Sequence, residues 1–190
     1  MARLFIAIDL PAAVTDALAA LQPAAMPGLR LINVNQMHLT LHYIGEAELE
    51  RIAARLGKLA EPMIALSLCG VGHFQSADGA TTLWAGVQQS AELEKLHANV
   101  AAALSGDGFR PENRAYTPHI TLARCDPAVA PDVVDNFLAH RANFSMPSIL
   151  ITGFSLYSSE FVRGVPVYMR ERAFSLCILQ IENCKSQIEN

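Results

Sequence analysis

Apolar residues along this chain keep two rhythms. Residues 4–8 (Leu-Phe-Ile-Ala-Ile) form a short unbroken apolar run, which predicts a buried strand over residues 3–9. Asp9 and Pro11 then open a helix in which Val14, Ala17, Leu18 and Leu21 hold helical spacing, until Pro23 and Pro27-Gly28 stop it. Further strand patterns cover residues 37–44, 63–71, 81–87, 116–124, 149–158 and 165–176. Amphipathic stripes predict helices over 46–61, from an N-cap at Ser90 to about Leu104, and over 131–139. Strands and helices mix without strict β-α-β alternation. That favours an α+β fold over a doubly wound parallel sheet.

One short pattern occurs twice. Met37-His38-Leu39-Thr40-Leu41 and Pro118-His119-Ile120-Thr121-Leu122 both read His-apolar-Thr-Leu inside a strand, and the histidines are 81 positions apart. That separation is too long for a solenoid and fits a duplicated lobe, each copy offering one motif to a shared cleft. The expected domain is a single bilobal unit over residues 1–176. Residues 177–190, CILQIENCKSQIEN, have no partner pattern and are either a further strand or an appended extension.

Composition narrows the picture. The 190 residues are 52% hydrophobic and 17% charged, enough apolar content for one domain or two fused lobes and too little charge for bulk disorder. A net charge of −4 with no basic stripe excludes wrapping of long nucleic acid, so any such contact is local. Lys58, Lys95 and Lys185 are the only lysines; Arg110, Arg114 and Arg124 gather near the second motif. Cys69, Cys125, Cys177 and Cys184 form no CxxC pair, which suits free thiols in a reducing compartment. Asp9 and Pro11 break the first apolar run, unlike a signal peptide, and no stretch nears the roughly 20 apolar residues of a membrane span. A cytoplasmic monomer is expected.

In a strand, residues two apart share a face, so His38 projects with Thr40 and His119 with Thr121. Imidazoles titrate near neutrality, and two of them can divide acid and base roles. Threonine hydroxyls can donate to phosphate oxygens. In-line displacement at phosphorus needs a base on one side, an acid on the other and donors between. His42 shares parity with His38 and is a candidate for the cleft edge, with a core position as the alternative; His97 and His140 are expected on helix surfaces. His38 and His42 are about 13 Å apart on a strand, too far to share a metal. Neither a phosphate-cradling glycine loop nor a nucleophile elbow occurs. No cofactor and no metal are expected.

These motifs, with RLFIAIDLP at 3–11, MHLTLHYIGE at 37–46, TPHITLAR at 117–124 and FSLYSSEFVRGVPVY at 154–168, resemble the 2H phosphoesterase superfamily and, within it, the LigT-like RNA 2′,3′-cyclic phosphodiesterases (the bacterial ThpR group). The resemblance covers residues 3–176. It implies two α+β lobes about a pseudo-twofold axis, with antiparallel sheets lining a central cleft. It implies that His38 protonates the leaving 3′ oxygen of a 2′,3′-cyclic phosphate at an RNA end and that His119 activates water. Thr40 and Thr121 would hold phosphate oxygens, Arg124 would contact phosphate, and Tyr43 would meet the nucleobase. Two features depart from the family: Tyr43 stands where phenylalanine is familiar, and Leu31-Ile32-Asn33 where a tryptophan is common. An offset of five also puts Tyr43 and Arg124 on the wrong face of a regular strand, so a bulge or strand end near Gly45 and Cys125 is required. A 2′–5′ RNA ligase and a non-catalytic terminal-phosphate binder remain as alternatives.

Overall fold

The computed structural model describes residues 2–105, 109, 115–162 and 164–177. The first strand, β1 (Ala2–Asp9), is followed by α1 (Ala12–Ala19), a short β2 (Leu29–Leu31) and a 3₁₀ turn, Val34–Gln36. Next come β3 (His38–Ala47), α2 (Leu49–Leu56), β4 (Ile64–Gln75), β5 (Thr81–Val87) and α3 (Ala91–Leu104). The chain continues through β6 (His119–Cys125), α4 (Pro131–Arg141), β7 (Ser145–Ile151), β8 (Gly153–Val162) and β9 (Val165–Ser175). The fold is α+β, as its element order predicts.

All the long strands join one curled antiparallel sheet in the order β7-β4-β5-β6-β3-β1-β8-β9, with β2 added to β6. The order is symmetric about its middle. β3 and β6 adjoin through the Leu39–Ile120 pair, the equivalent residues of the two motifs. A twofold relation between the halves therefore passes through that pair, with β1 matching β5, β8 matching β4, and β9 matching β7. Leu39 and Ile120 are fully buried, in one core with Val14 and Leu18 of α1, Ile52 of α2, Val100 of α3 and Phe137 of α4. The helices thus cover one face of the sheet and leave the histidine face open.

Several elements differ from their expected extents; β4, for one, runs on to Gln75 where its pattern ends at 71. Glu46 and Ala47 stay in β3, because Gly45 takes φ 82° and lets the strand continue past it, so α2 starts only at Leu49. The pattern at 149–158 is two strands: β7 pairs with β4 and β8 with β1, so the chain crosses between halves of the sheet at Thr152. An apolar run does not record which neighbour each part will pair with. β2 and the 3₁₀ turn are too short to leave a period. By contrast, α3 spans its expected range, with Ser90 Oγ accepting from the Leu93 N–H at 3.2 Å. Cys177 bonds to residues 61–63 through its N–H to Glu61 O at 2.7 Å; 178–190 lie outside the described residues.

Candidate active site

The two motif strands carry the same irregularity. Along β3, Ala7 pairs with Thr40 but Ile6 pairs with His42, so Leu41 is an extra residue. Along β6, Trp84 pairs with Thr121 but Leu83 pairs with Ala123, so Leu122 is the extra residue. Each bulge shifts the strand's parity by one. Consecutive burial of Leu41-His42 and of Leu122-Ala123 records it. Beyond the bulge, Tyr43 and Arg124 return to the face of the histidines. The bulges expected near Gly45 and Cys125 therefore lie earlier, at the fourth residue of each motif; β3 has a further irregularity at Ile44.

His38, Thr40, His119 and Thr121 line one cavity of about 1070 Å³, and Tyr43 and Arg124 line it too. Extending the Leu39–Ile120 register one step each way sets His38 beside Thr121 and Thr40 beside His119. The two histidines are then diagonal neighbours, roughly 7–8 Å apart at the backbone. Both imidazoles thus reach one cavity, each with a threonine hydroxyl beside it on the neighbouring strand.

Each imidazole is held from behind in the same way. His38 Nδ1 is 2.7 Å from the Gln36 carbonyl oxygen, and His119 Nδ1 is 2.8 Å from that of Thr117. A carbonyl only accepts, so each Nδ1 carries hydrogen, and Nε2 is the atom free to exchange a proton. Burial lowers the pKa of both rings. For His38 the Gln36 carbonyl and Asp9 oppose this, while His119 and Arg124 add to it. For His119 the Thr117 carbonyl opposes it and Arg124 adds to it.

The side walls are aromatic, and the sequence patterns did not single out these residues. Phe5, Tyr157 and Tyr168 surround His38, with ring centroids 5.1, 6.3 and 5.5 Å away. Phe74 and Trp84 flank His119 at 4.9 and 6.0 Å. Gly72 makes room for the indole: a Cβ there would come 2.2 Å from the Trp84 ring. Phe5, Trp84 and Tyr157 read in sequence as ordinary strand residues; only the pairing of β1, β5 and β8 brings them to the motifs. Arg124 Nη1 donates to Thr82 Oγ1 at 3.4 Å, and Tyr43, 53% exposed, packs its ring 5.7 Å from Phe5.

Two other histidines lie beside the site: His42 lines the cavity, as its candidate place at the cleft edge required, and His97 departs from expectation. The bulge at Leu41 turns His42 away from His38 and buries it, with its Nε2 donating to the His97 carbonyl at 2.7 Å. It forms part of the cavity wall. His97 is half-buried at the cavity rather than free on the helix surface: its ring stacks between His42 and Tyr116 at 4.0 and 3.9 Å, and burial, then His42, lowers its pKa to about 4. Tyr116 in turn donates its hydroxyl to the Thr40 carbonyl at 3.0 Å. His140 is exposed, as expected. Arg110 and Arg114 lie outside the described residues. Among the described residues, no three His, Cys, Asp or Glu side chains gather as a metal site requires, and no helix is long and apolar enough to cross a membrane.

A curled antiparallel sheet presenting two like-built histidine–threonine pairs to one cavity is the framework of an acid–base site. The sequence pattern of the 2′-5′ RNA ligase superfamily matches residues 10–160, and the chain belongs to that superfamily, a 2H phosphoesterase one. The RNA 2′,3′-cyclic phosphodiesterase of Thermus thermophilus is 31% identical over 194 residues, covering 92% of this chain and 90% of that protein. The Escherichia coli K12 protein of the same name is 28% identical over 180 residues, covering 92% and 96%. The crystal structure of E. coli LigT complexed with 3′-AMP superposes with a TM-score of 0.72 at 27% identity, covering 92% of this chain and 98% of that one.

Proposed function

We propose that this chain opens a 2′,3′-cyclic phosphate at the end of an RNA, leaving a 2′-phosphate and a free 3′-hydroxyl. The observation that carries this reading is the duplicated geometry: His38/Thr40 and His119/Thr121 face one cavity from adjoining antiparallel strands. The names of the relatives agree with it. Water attacks phosphorus as the bond to O3′ breaks. His119 Nε2 takes the proton from water, and protonated His38 Nε2 gives one to O3′. Charge gathering on the non-bridging oxygens meets the Thr40 and Thr121 hydroxyls, with Arg124 supplying a cation. Tyr43, exposed at the rim, offers a face to the terminal base. The turnover leaves His38 neutral and His119 protonated, and solvent exchange resets them. Nothing in this cycle calls for a metal or a second copy of the chain. The unit that acts is a bilobal domain over residues 1–176, a monomer working on RNA ends in the cytoplasm.

The test is an oligoribonucleotide with a terminal 2′,3′-cyclic phosphate, incubated in excess chelator. A gain of one water, with the product co-migrating with the 2′-phosphate standard, is expected. A 3′-phosphate product, or no turnover, sinks the reading. The superfamily's description favours a second direction, in which a 5′-hydroxyl replaces water and a 2′–5′ linkage forms. The same groups serve both directions, and adding a 5′-hydroxyl RNA to the assay would show joined product.

A further inference from the structure

The two halves of the site are alike at their histidine–threonine pairs and unlike one strand away. Asp9 of β1 pairs with His38, and the matching position on β5 is Gly86, which pairs with His119. Directly paired residues share a face of the sheet, so Asp9 stands on the His38 side. Its carboxylate is fixed there. Ser155 Oγ donates to Oδ2 at 2.6 Å, and the Tyr157 hydroxyl donates to Oδ1. Tyr157 also stacks on His38, 24° from parallel. No side chain can occupy the Gly86 position, because a Cβ there would lie 2.4 Å from the Cys69 carbonyl oxygen. The fold thus admits a carboxylate beside one histidine and bars one beside the other.

We infer that Asp9 is a positioning residue that sets the direction of proton transfer, favouring the protonated form of His38 and so assigning it the acid role while His119 remains the base. This rests on the proposed phosphodiesterase reading and deepens it. A site that was symmetric throughout would have no reason to protonate one imidazole before the other; a single negative charge supplies one, working against the burial and the His119 and Arg124 charges that lower the His38 pKa.

The other groups facing His38 are Phe5 on β1, Tyr157 on β8, Tyr168 on β9, and His119 and Arg124 on β6. Arg170 on β9 approaches Asp9 Oδ2 at 3.9 Å and offsets part of its charge; its side chain is 60% exposed. His119 faces Arg124 on its own strand, His38 on β3, Trp84 on β5 and Phe74 on β4. None of these gives His119 a counterpart to Asp9.

The experiment is an NMR titration of the two imidazoles in the unliganded protein, paired with the pH profile of kcat/KM. Asp9→Asn keeps the shape and removes the charge. The His38 midpoint is expected to fall by about half a pH unit or more, with that of His119 unmoved. In activity the alkaline limb moves to lower pH by the same amount, a loss of about three-fold at pH values above it, while the acid limb stays. Arg170→Gln, at an exposed position, is expected to move the His38 midpoint the other way, by about a quarter of a unit. The inference is overturned if Asp9→Asn moves both imidazoles together or neither. It is overturned too if Arg170→Gln gives no upward shift, a result readable even if Asp9→Asn fails to fold. The titration needs no substrate. Absent turnover with separate midpoints would sink the phosphodiesterase reading alone, and turnover with coincident midpoints would sink the role of Asp9 alone.

Discussion

The half of the sheet built on β3 and the half built on β6 share a His-x-Thr-Leu motif, a bulge at its last residue and a carbonyl behind its imidazole. Their flanking strands differ at every cleft-facing position. β1 brings Phe5, Ala7 and Asp9, where β5 brings Thr82, Trp84 and Gly86. Phe5 packs against Tyr43, whereas Thr82 accepts a hydrogen bond from Arg124. The comparison separates two demands. On the proposed reading, displacement at phosphorus is nearly symmetric about the reacting atom and would be met by the symmetric groups. A nucleotide is not symmetric, since it has a base on one side only, and the strand next to each motif carries that difference.

The largest expected effect tests the symmetric part. His38→Ala and His119→Ala should each lower kcat by about 10²–10⁴-fold on a cyclic-phosphate RNA end, with the fold intact by circular dichroism. The double variant should be little worse than either single one, because acid and base act as one unit. A single variant that keeps near wild-type kcat would show that only one half takes part. Thr40→Ala and Thr121→Ala come next, each expected to cost about 10²-fold in kcat, with serine restoring most of it. Unequal losses would mean that the phosphate sits off the twofold relation between the strands.

The asymmetric part is probed at equivalent positions across the bulges. Tyr43→Ala should raise KM by about 5–50-fold on a nucleotide end, through lost stacking, and change nothing on ribose 2′,3′-cyclic phosphate, which has no base. Arg124→Ala should weaken both substrates, since on the proposed reading it contacts the phosphate that both carry. Steady-state kinetics on the two substrates separates the cases. If Tyr43→Ala also impairs the baseless substrate, the assignment of base and phosphate sides is wrong.

These side chains also mark how far the sequence could be read. The repeated motif alone brought out His38, Thr40, His119 and Thr121, because strand parity is local and needs no knowledge of partners. The same parity set Tyr43 and Arg124 on the wrong face. The bulges that return them lie at Leu41 and Leu122, and a leucine carries no mark of being an extra residue in a ladder. Family likeness, not periodicity, pointed to those two side chains. Asp9, Phe5, Trp84 and Tyr157 were illegible for another reason: they belong to the site only through pairing across long sequence separations. For the fold, α3 and β5 were plain in pattern and capping. The crossing at Thr152 was not, since 149–158 is apolar on both sides of it.

The smallest expected effect lies behind the bulges, where the halves differ again: His42 occupies the position matched by Ala123. His42 carries His97 with it, in a stack closed by Tyr116, whose hydroxyl is bonded to the Thr40 carbonyl. The His97 pKa is lowered to about 4, so the folded protein holds this ring neutral where the unfolded chain, with an ordinary imidazole, takes up a proton. Between that value and about 6.5 the unfolded state binds more protons, so stability rises with pH across the window and is lost as pH falls through it. The half-buried rings of His38 and His119, whose pKa values burial also lowers, act with the same sign. His97→Phe keeps a flat ring in the stack and removes the titration. Its Tm should therefore fall less than that of the wild type between pH 7 and pH 5, by about 2–4 °C in a thermal melt followed at both values. An equal fall in both proteins would place the acid sensitivity in the cleft histidines, and so in the symmetric part of the sheet.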